Sequence, residues 1–546
     1  MPSTEFNLNN IEDCFRLAVK NIIKYGDTDI FPYPLETRMF EDIEEDIINS
    51  LCDTYQYLND KLEQAMPLNI NCCATVGYTG YRWATQIDPY WNVFFLGLVL
   101  NLSNEIEENR LDSDYVYSYR FKPNYNNFSL FSSDIGWKKF QKDSFELCQN
   151  SDDIKYVLAC DIADFYPRIY HHRLENALDD LDKKNLKNTS SKIKKLLQVF
   201  SNSKSYGVPV GCPASRILAE LLLNSIDHIL QINGVKFKRF VDDYTIFCDS
   251  QESAHSVLTL ITHKLMENEG LTLQKHKTNI MSKDEFISYT KAKIYGFDED
   301  ENSTQVVEFM RLPIRYDPYS SDADKQYEEI KDSLKNFDLL GMLSSEIQKS
   351  RINQPLGKQL IKSLTVAEDT TLSSAFKIII SNYNELYPIF ATIMQVAISC
   401  WKRFSKEIKQ LIIDSIENLI KNNSFILKTE LNLAYASKLL AKENCDQTRI
   451  LLIEIYSKNN TSIIITNIVT QAMIKWNQRY WLSDLKSKFH TMNMLQRRLF
   501  IIASYQLDDE GDHWRKHNKK TFTFIEQLYI QWASKRKQKN NIEEAL

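Results

Sequence analysis

Proline is missing from Ile389 to the end of the chain, and Gly511 is the only glycine in that stretch. A β-rich region of this length needs turn formers, so the C-terminal part is expected to be nearly all helix. None of the ten cysteines stands in a C-x-x-C, although Cys72 and Cys73 are adjacent, and no Cys/His cluster has zinc-ligand spacing. Reduced thiols in a cytoplasmic setting follow as the expectation. The opening MPSTEFNLNN lacks a basic region followed by an apolar run, so no signal peptide is expected. The apolar windows Trp91–Leu102 and Tyr387–Trp401 are shorter than a membrane span and are interrupted by Asn or Gln, which makes them buried helices and excludes a membrane partner. Positive charge is also scarce, at a net −6, which argues against non-specific coating of nucleic acid. It gathers at the end, where residues 471–546 hold 14 Lys and Arg against 8 Asp and Glu. The run Lys535, Arg536, Lys537 and Lys539 reads as a solvated helix end, with contact to a nucleic-acid backbone as the alternative.

What is present is an ordinary globular composition, 43% hydrophobic and 25% charged over 546 residues, enough for two or three domains. Residues 1–85 read as helical, punctuated by GDTDIFPYPLE, where Pro32 and Pro34 forbid a continuing helix. YVYSYRFKP at 115–123 alternates like a strand and carries Arg120 and Lys122. The apolar run Tyr156–Cys160 reads as a buried strand that ends on Asp161. A Gly-Pro loop, SYGVPVGCPAS, then leads into a helix with Leu218, Leu221, Leu222, Ser225 and Ile229 on one face. In VKFKRFVDDYTIFCDS two strand patterns flank Asp242 and Asp243. Adjacent carboxylates are usually solvated, as Asp152–Asp153, Asp179–Asp180 and Asp508–Asp509 are read to be. Between apolar strands they call for a cation, and Asp161 is the natural third ligand. GLTLQKHKTNI follows as a strand that carries Lys275 and Lys277, then a strand-like KIYGF at 293–297. The order describes an antiparallel sheet with helices on one face, an α+β palm. In the C-terminal part, breaks at KNNS, ENCD and KNNTS space the helices for stacked pairs of HEAT-like character.

DIADFYPRI, GVPVGCPASRILAE, RFVDDYTIF and GLTLQKHKT, in this order over about residues 10–300, resemble the reverse transcriptases. Within them the chain is similar to the bacterial abortive-infection and defence-associated branch. The P-V-G form of the loop, with Val210 where P-Q-G is more usual, the following S-R-I-L-A-E, and GDTDIFPYP with SYRF upstream carry that likeness. Phe240 replaces the Tyr of the commoner Y-x-D-D, and Gln274 replaces an Asn before Lys277.

The resemblance implies fingers and palm over 1–310 and an all-α helical-repeat domain over 311–546. It implies a two-metal nucleotidyltransferase, with Asp161, Asp242 and Asp243 holding two Mg²⁺, or Mn²⁺, ions. Lys277 is then either a general acid for pyrophosphate or a surface lysine. Tyr166, by itself a core aromatic, becomes a gate against the ribose 2′-hydroxyl. Arg120, assisted by Lys122, grips the triphosphate, and Gly207, Pro209, Gly211 and Ser215 floor the nucleotide site. His171 and His172 read as exposed helix-start residues. The implied activity is DNA synthesis from dNTPs in antiviral defence by abortive infection, untemplated and protein-primed or copied from a partner RNA, with a single-stranded DNA product and a homo-oligomeric assembly. Its rivals are a retron-type enzyme that copies a non-coding RNA, and a silent RNA-binding scaffold, against which the intact acids argue.

Overall fold

The structure is a computed structural model that describes residues 6–28, 30–32, 34–181, 187–295, 304–312, 331–539 and 541–545. The chain divides into two compact units, Met1–Asn69 with Thr85–Ile294, and Ile70–Ala84 with Tyr295–Leu546. Among the described residues there are eight strands. They are the hairpin β1 (Ile70–Val76) and β2 (Gly80–Gln86), the hairpin β3 (Phe121–Asn124) and β4 (Ser129–Phe131), and a sheet of β5 (Tyr156–Asp161), β6 (Lys236–Phe240), β7 (Asp243–Cys248) and β8 (Asn279–Ser282).

In the first unit the helix Ile11–Tyr25 is capped by Asn10, whose side chain accepts from the Glu12 amide, and is closed by Gly26 at φ 80°. It packs against Pro89–Leu100, every residue of which is buried. Phe15 stacks on Phe94 at 5.4 Å, and a Cβ at Gly97 would strike the Phe15 ring. The apolar window at 91–102 is thus an interior helix, as its length requires.

The sheet has the order β6-β7-β5-β8, and each neighbouring pair is antiparallel. Every residue from Tyr244 to Cys248 is buried, so helices cover both faces along β7 rather than one. On one side Tyr244 bonds Asp227 of the helix Pro213–Ile232; on the other, Phe247 packs with Cys148, Val157 and Phe286. Three local readings are corrected. The strand read over 115–123 is broken at Tyr119 (φ 43°): Val116 bridges Arg239, and only Phe121–Asn124 forms β3. Lys275–Lys277 is a 3₁₀ turn ahead of β8, and residues 293–295 of KIYGF end the helix Lys283–Tyr295, while 296 and 297 lie outside the described residues.

The second unit is helical from Leu339 onward. Phe390–Ser399, Glu430–Leu440, Ile463–Lys475, Met494–Ala503 and Phe524–Gln538 stack each on the next, with shorter helices between them. Ser405, Ser462, Asn493 and Thr523 cap helix starts with their side chains, which supplies the punctuation that the absent prolines and glycines do not. The unit also holds β1 and the start of β2, up to Ala84, within the stretch read from sequence as helical. No described helix is long and apolar enough to cross a membrane.

Candidate active site

β6 and β7 are joined by a tight turn. Phe240 faces Asp243 across it, which leaves Val241 and Asp242 at the bend, with Val241 at φ 57°. A β-branched residue in the left-handed region is strained, so something must hold it there. Arg239 does: its Nη1 donates to the Val241 carbonyl at 2.9 Å, and its Nε donates to Asp227 Oδ1 at 2.8 Å. Glu220 lies 3.0 Å from the same guanidinium and also takes Arg110 at 2.7 Å and the Ser118 hydroxyl at 2.5 Å. Burial opposes the charge on Arg239, but Asp227 and Glu220 outweigh it and hold the group well above its ordinary value. The Glu of S-R-I-L-A-E and the Arg of R-F-V-D-D are therefore the two sides of one buried ion network beneath the turn.

β5 brings the third acid. Asp161 pairs with Asp243 in register, and the Ile162 amide donates to the Asp242 carbonyl at 3.1 Å. One oxygen from each of Asp161, Asp242 and Asp243 falls within 4.8 Å of the others. Burial, then the charges of Asp161 and Asp243, push Asp242 up to about 7. Three hard oxygen donors that repel one another at this range fit a divalent cation such as Mg²⁺ or Mn²⁺.

Lys277 reaches this cluster. The Ala163 amide donates to Thr272 and the Gln274 amide to Asp161, so GLTLQKHKT is tied alongside the end of β5. Lys277 Nζ then donates to Asp161 Oδ2 at 2.7 Å while the side chain stays 63% exposed. Burial works to lower its ammonium, but the bond to Asp161 and the three carboxylates outweigh that and keep it above the usual lysine value.

The Gly-Pro loop is fastened to the segment after β5. Gly207 donates to Ile169 at 2.8 Å and Val208 to Tyr166 at 3.0 Å. Gly207 sits at φ 94°, where a Cβ would also come 3.3 Å from the Pro167 carbonyl. Gly211 is at φ 109°. Pro209 is buried, and Ser215 is buried with its hydroxyl 3.1 Å from the Cys212 thiol, so Ser215 braces the loop from within. Tyr166 is half-buried, and burial raises its hydroxyl well above the ordinary value, with Tyr119, Glu220, Arg216 and Asp242 as its electrostatic neighbours.

The fingers cations part company. Arg120 is turned inward, with Nη2 2.6 Å from Glu107 and Nη1 donating to the Leu111 carbonyl at 2.6 Å, and would have to leave this pair to reach a phosphate. Lys122 is exposed on β3. Two residues were missed in the sequence. His171 is buried, not exposed, and its Nε2 donates to the Gly207 carbonyl at 2.7 Å, while His172 stays exposed. Arg216 lies 5.1 Å from the Tyr119 ring and lines a cavity of about 240 Å³ with Gly211, Pro213 and Asp27. A histidine and an arginine at helix starts carry no sequence signal that separates these roles from solvation.

Residues 105–316 match the family described as reverse transcriptase (RNA-dependent DNA polymerase). No curated protein matches the chain. Among solved structures, telomerase from Candida albicans in complex with the TWJ fragment of telomeric RNA is 11% identical over 66% of this chain and 67% of that one, with a TM-score of 0.29. Apo telomerase from Candida tropicalis is 10% identical over 78% and 73%, with a TM-score of 0.28. Both likenesses are too slight to assign a function. The motifs, the acid cluster and the family match fall on the same stretch: the chain carries a reverse transcriptase domain, that of an RNA-directed DNA polymerase, and is a nucleotidyltransferase.

Proposed function

We propose that the chain synthesises DNA from deoxynucleoside triphosphates at the Asp161, Asp242 and Asp243 cluster, in the service of antiviral defence. The convergence of the three carboxylates within 4.8 Å, with Lys277 on one of them, carries the polymerase part of the reading. The P-V-G loop and the S-R-I-L-A-E that follows it support the defence part, as features of that branch. The three aspartates would hold two divalent ions, which when bound activate the attacking hydroxyl and neutralise charge on the phosphates. Lys277, kept protonated by the acids around it, would give its proton to the departing pyrophosphate. The ring of Tyr166 crowds a 2′-hydroxyl and selects deoxynucleotides. Lys122 and Arg216 would meet the triphosphate, joined by Arg120 if it releases Glu107. Gly207, Pro209 and Gly211 form the floor, with Ser215 supporting it.

Two origins of the growing end compete. The branch resemblance favours untemplated synthesis from a hydroxyl of the protein itself, and the RNA-dependent description of the matched family favours copying an RNA. Purified protein with labelled dNTPs and Mg²⁺, with and without RNA, resolved on a denaturing gel before and after protease, separates them. Label that migrates with the protein in the absence of RNA supports protein priming; label that appears only with RNA supports templated copying. Incorporation by an Asp242→Asn/Asp243→Asn double variant would remove the site assignment, and full exclusion of ribonucleotides by Tyr166→Ala would remove the gate.

A further inference from the structure

The cavity of about 240 Å³ that Arg216 and Asp27 line lies where the end of the helix Ile11–Tyr25, the strand β4 and the start of the helix Pro213–Ile232 meet. All three elements belong to the first unit. Two buried side chains of its lining each leave one oxygen without a donor. Asn21, 4% exposed, commits its Nδ2 to the Phe128 carbonyl at 2.8 Å, and its Oδ1 has no partner. Asp27, fully buried, accepts from Gln86 through Oδ2, and its Oδ1 has no partner either. A buried acceptor left without a donor is costly. Two of them on one cavity mark a place for a ligand that brings N–H groups.

The rest of the lining narrows the ligand. Tyr25 and Phe131 bring rings, and the Tyr25 hydroxyl is held by donating to the Asn127 carbonyl at 2.9 Å. Arg216 brings positive charge, and Gly211 belongs to the loop that His171 and Tyr166 fasten. The volume falls below the roughly 300–1,000 Å³ of clefts that take drug-sized ligands, which suits one flat ring system. A lone cation would meet the acid but leave the rings and Arg216 unused. A nucleotide meets all of them, because its base offers ring faces and an N–H edge and its phosphates offer negative charge. The edge that fits two acceptors is that of guanine, whose N1–H and 2-amino group stand side by side. Adenine and cytosine set one amino group beside an accepting ring nitrogen, and thymine sets one N–H between two carbonyls.

We propose that this cavity is a guanine site, in which Asp27 Oδ1 and Asn21 Oδ1 accept from the N1–H and 2-amino groups, the base lies against Tyr25 and Phe131, and the phosphates of the same nucleotide lie towards Arg216. That the guanine arrives on an incoming nucleotide rests on the polymerase reading above. Where no template strand dictates the base, two protein oxygens in this place favour dGTP over the other three nucleotides.

The test titrates the full chain with dGMP, dIMP and dAMP by calorimetry, at pH 8 and without metal, so that binding is separated from catalysis. At that pH the Asp27 carboxyl, which burial pushes up to about 7, is ionised. dIMP differs from dGMP only in lacking the 2-amino group. Wild type is expected to bind dGMP about tenfold more tightly than dIMP, the effect of one hydrogen bond to a buried or charged acceptor, and to bind dAMP more weakly than dGMP. Asp27→Asn keeps the shape of the side chain and is expected to bring dGMP and dIMP to nearly equal affinity. A merely structural Asp27 would instead lower both in proportion, and that result overturns the proposal, as does a variant that keeps the full preference. Equal binding of the three nucleotides by wild type, or binding of none, overturns it without any variant. Failure of the polymerase reading shows separately, as wild-type protein that prefers dGMP in this way and incorporates no dNTP.

Discussion

Arg239 concentrates the energetics of the site in one side chain. It is fully buried, neutralises Asp227 and Glu220, and holds the carbonyl of a strained valine. Removing one member of such a network leaves buried charge uncompensated, at a cost of about 3–5 kcal/mol. Arg239→Met should lose about that much in urea unfolding, and its residual incorporation should need more Mg²⁺ than wild type, because the turn no longer holds Asp242 in place. Asp27, in the GDTD stretch, makes a different case. It is wholly buried, accepts from Gln86 Nε2 at 2.9 Å through one oxygen, and is pushed up to about 7 by burial. An acid whose folded value is raised binds a proton that the unfolded chain has released, so stability falls as pH rises from about 4 to about 7 and is level above. The span corresponds to a few kcal/mol, about 4 at most. The melting temperature of wild type should therefore fall between pH 5 and pH 8 relative to Asp27→Asn. Parallel melting curves across that range would refute the assignment.

At the scale of elements, the Gly-Pro loop is held from several sides. His171, Ile169 and Tyr166 all bond it, and Gly207 occupies a conformation that side chains avoid. Gly207→Ala has to enter that conformation against the Pro167 carbonyl, and about 1–2 kcal/mol of destabilisation is expected from the backbone alone. His171→Ala breaks the bond to the same residue from outside. Both variants should lower dNTP incorporation more than they lower binding of a fluorescein-labelled oligothymidine, read by anisotropy without dNTPs or metal, and an equal fall in the two would count against a role confined to this loop. The strand elements show why some readings were within reach of pattern and others were not. β5 and β7 announce themselves as apolar runs that end or begin at acids. The break at Tyr119 and the turn at Lys275–Lys277 have no such mark, because both follow from what the neighbouring strand and β5 already bond.

At the scale of the molecule, the chain leaves the first unit after Asn69, contributes a hairpin to the second, and returns at Thr85. Each unit has its own buried core, so calorimetry should resolve two transitions. Excess Mg²⁺ should raise one of them only, by about 2.7 kcal/mol when the ion is present at a hundred times its dissociation constant. The Asp242→Asn/Asp243→Asn variant should abolish that shift, and a shift of both transitions in wild type would contradict independent units.

Sequence alone determined the class of chemistry and the helical character of the C-terminal region. Acids set at the ends of apolar strands are costly unless they meet a cation, and a long stretch with no proline and a single glycine has few ways to turn other than by ending one helix and beginning another. Only the tertiary structure decided which cations are committed and which are presented. Arg120 and Lys122 are neighbours in one motif, yet one is drawn into a pair with Glu107 and the other faces water. It also decided that residues 70–84 belong with helices hundreds of positions away, through Tyr78 and Tyr81. The physical reason is the same in both cases. Local pattern reports whether a side chain is apolar or charged, but its partner is supplied by a distant segment, and the energy of burying a charge or a hydroxyl depends on that partner.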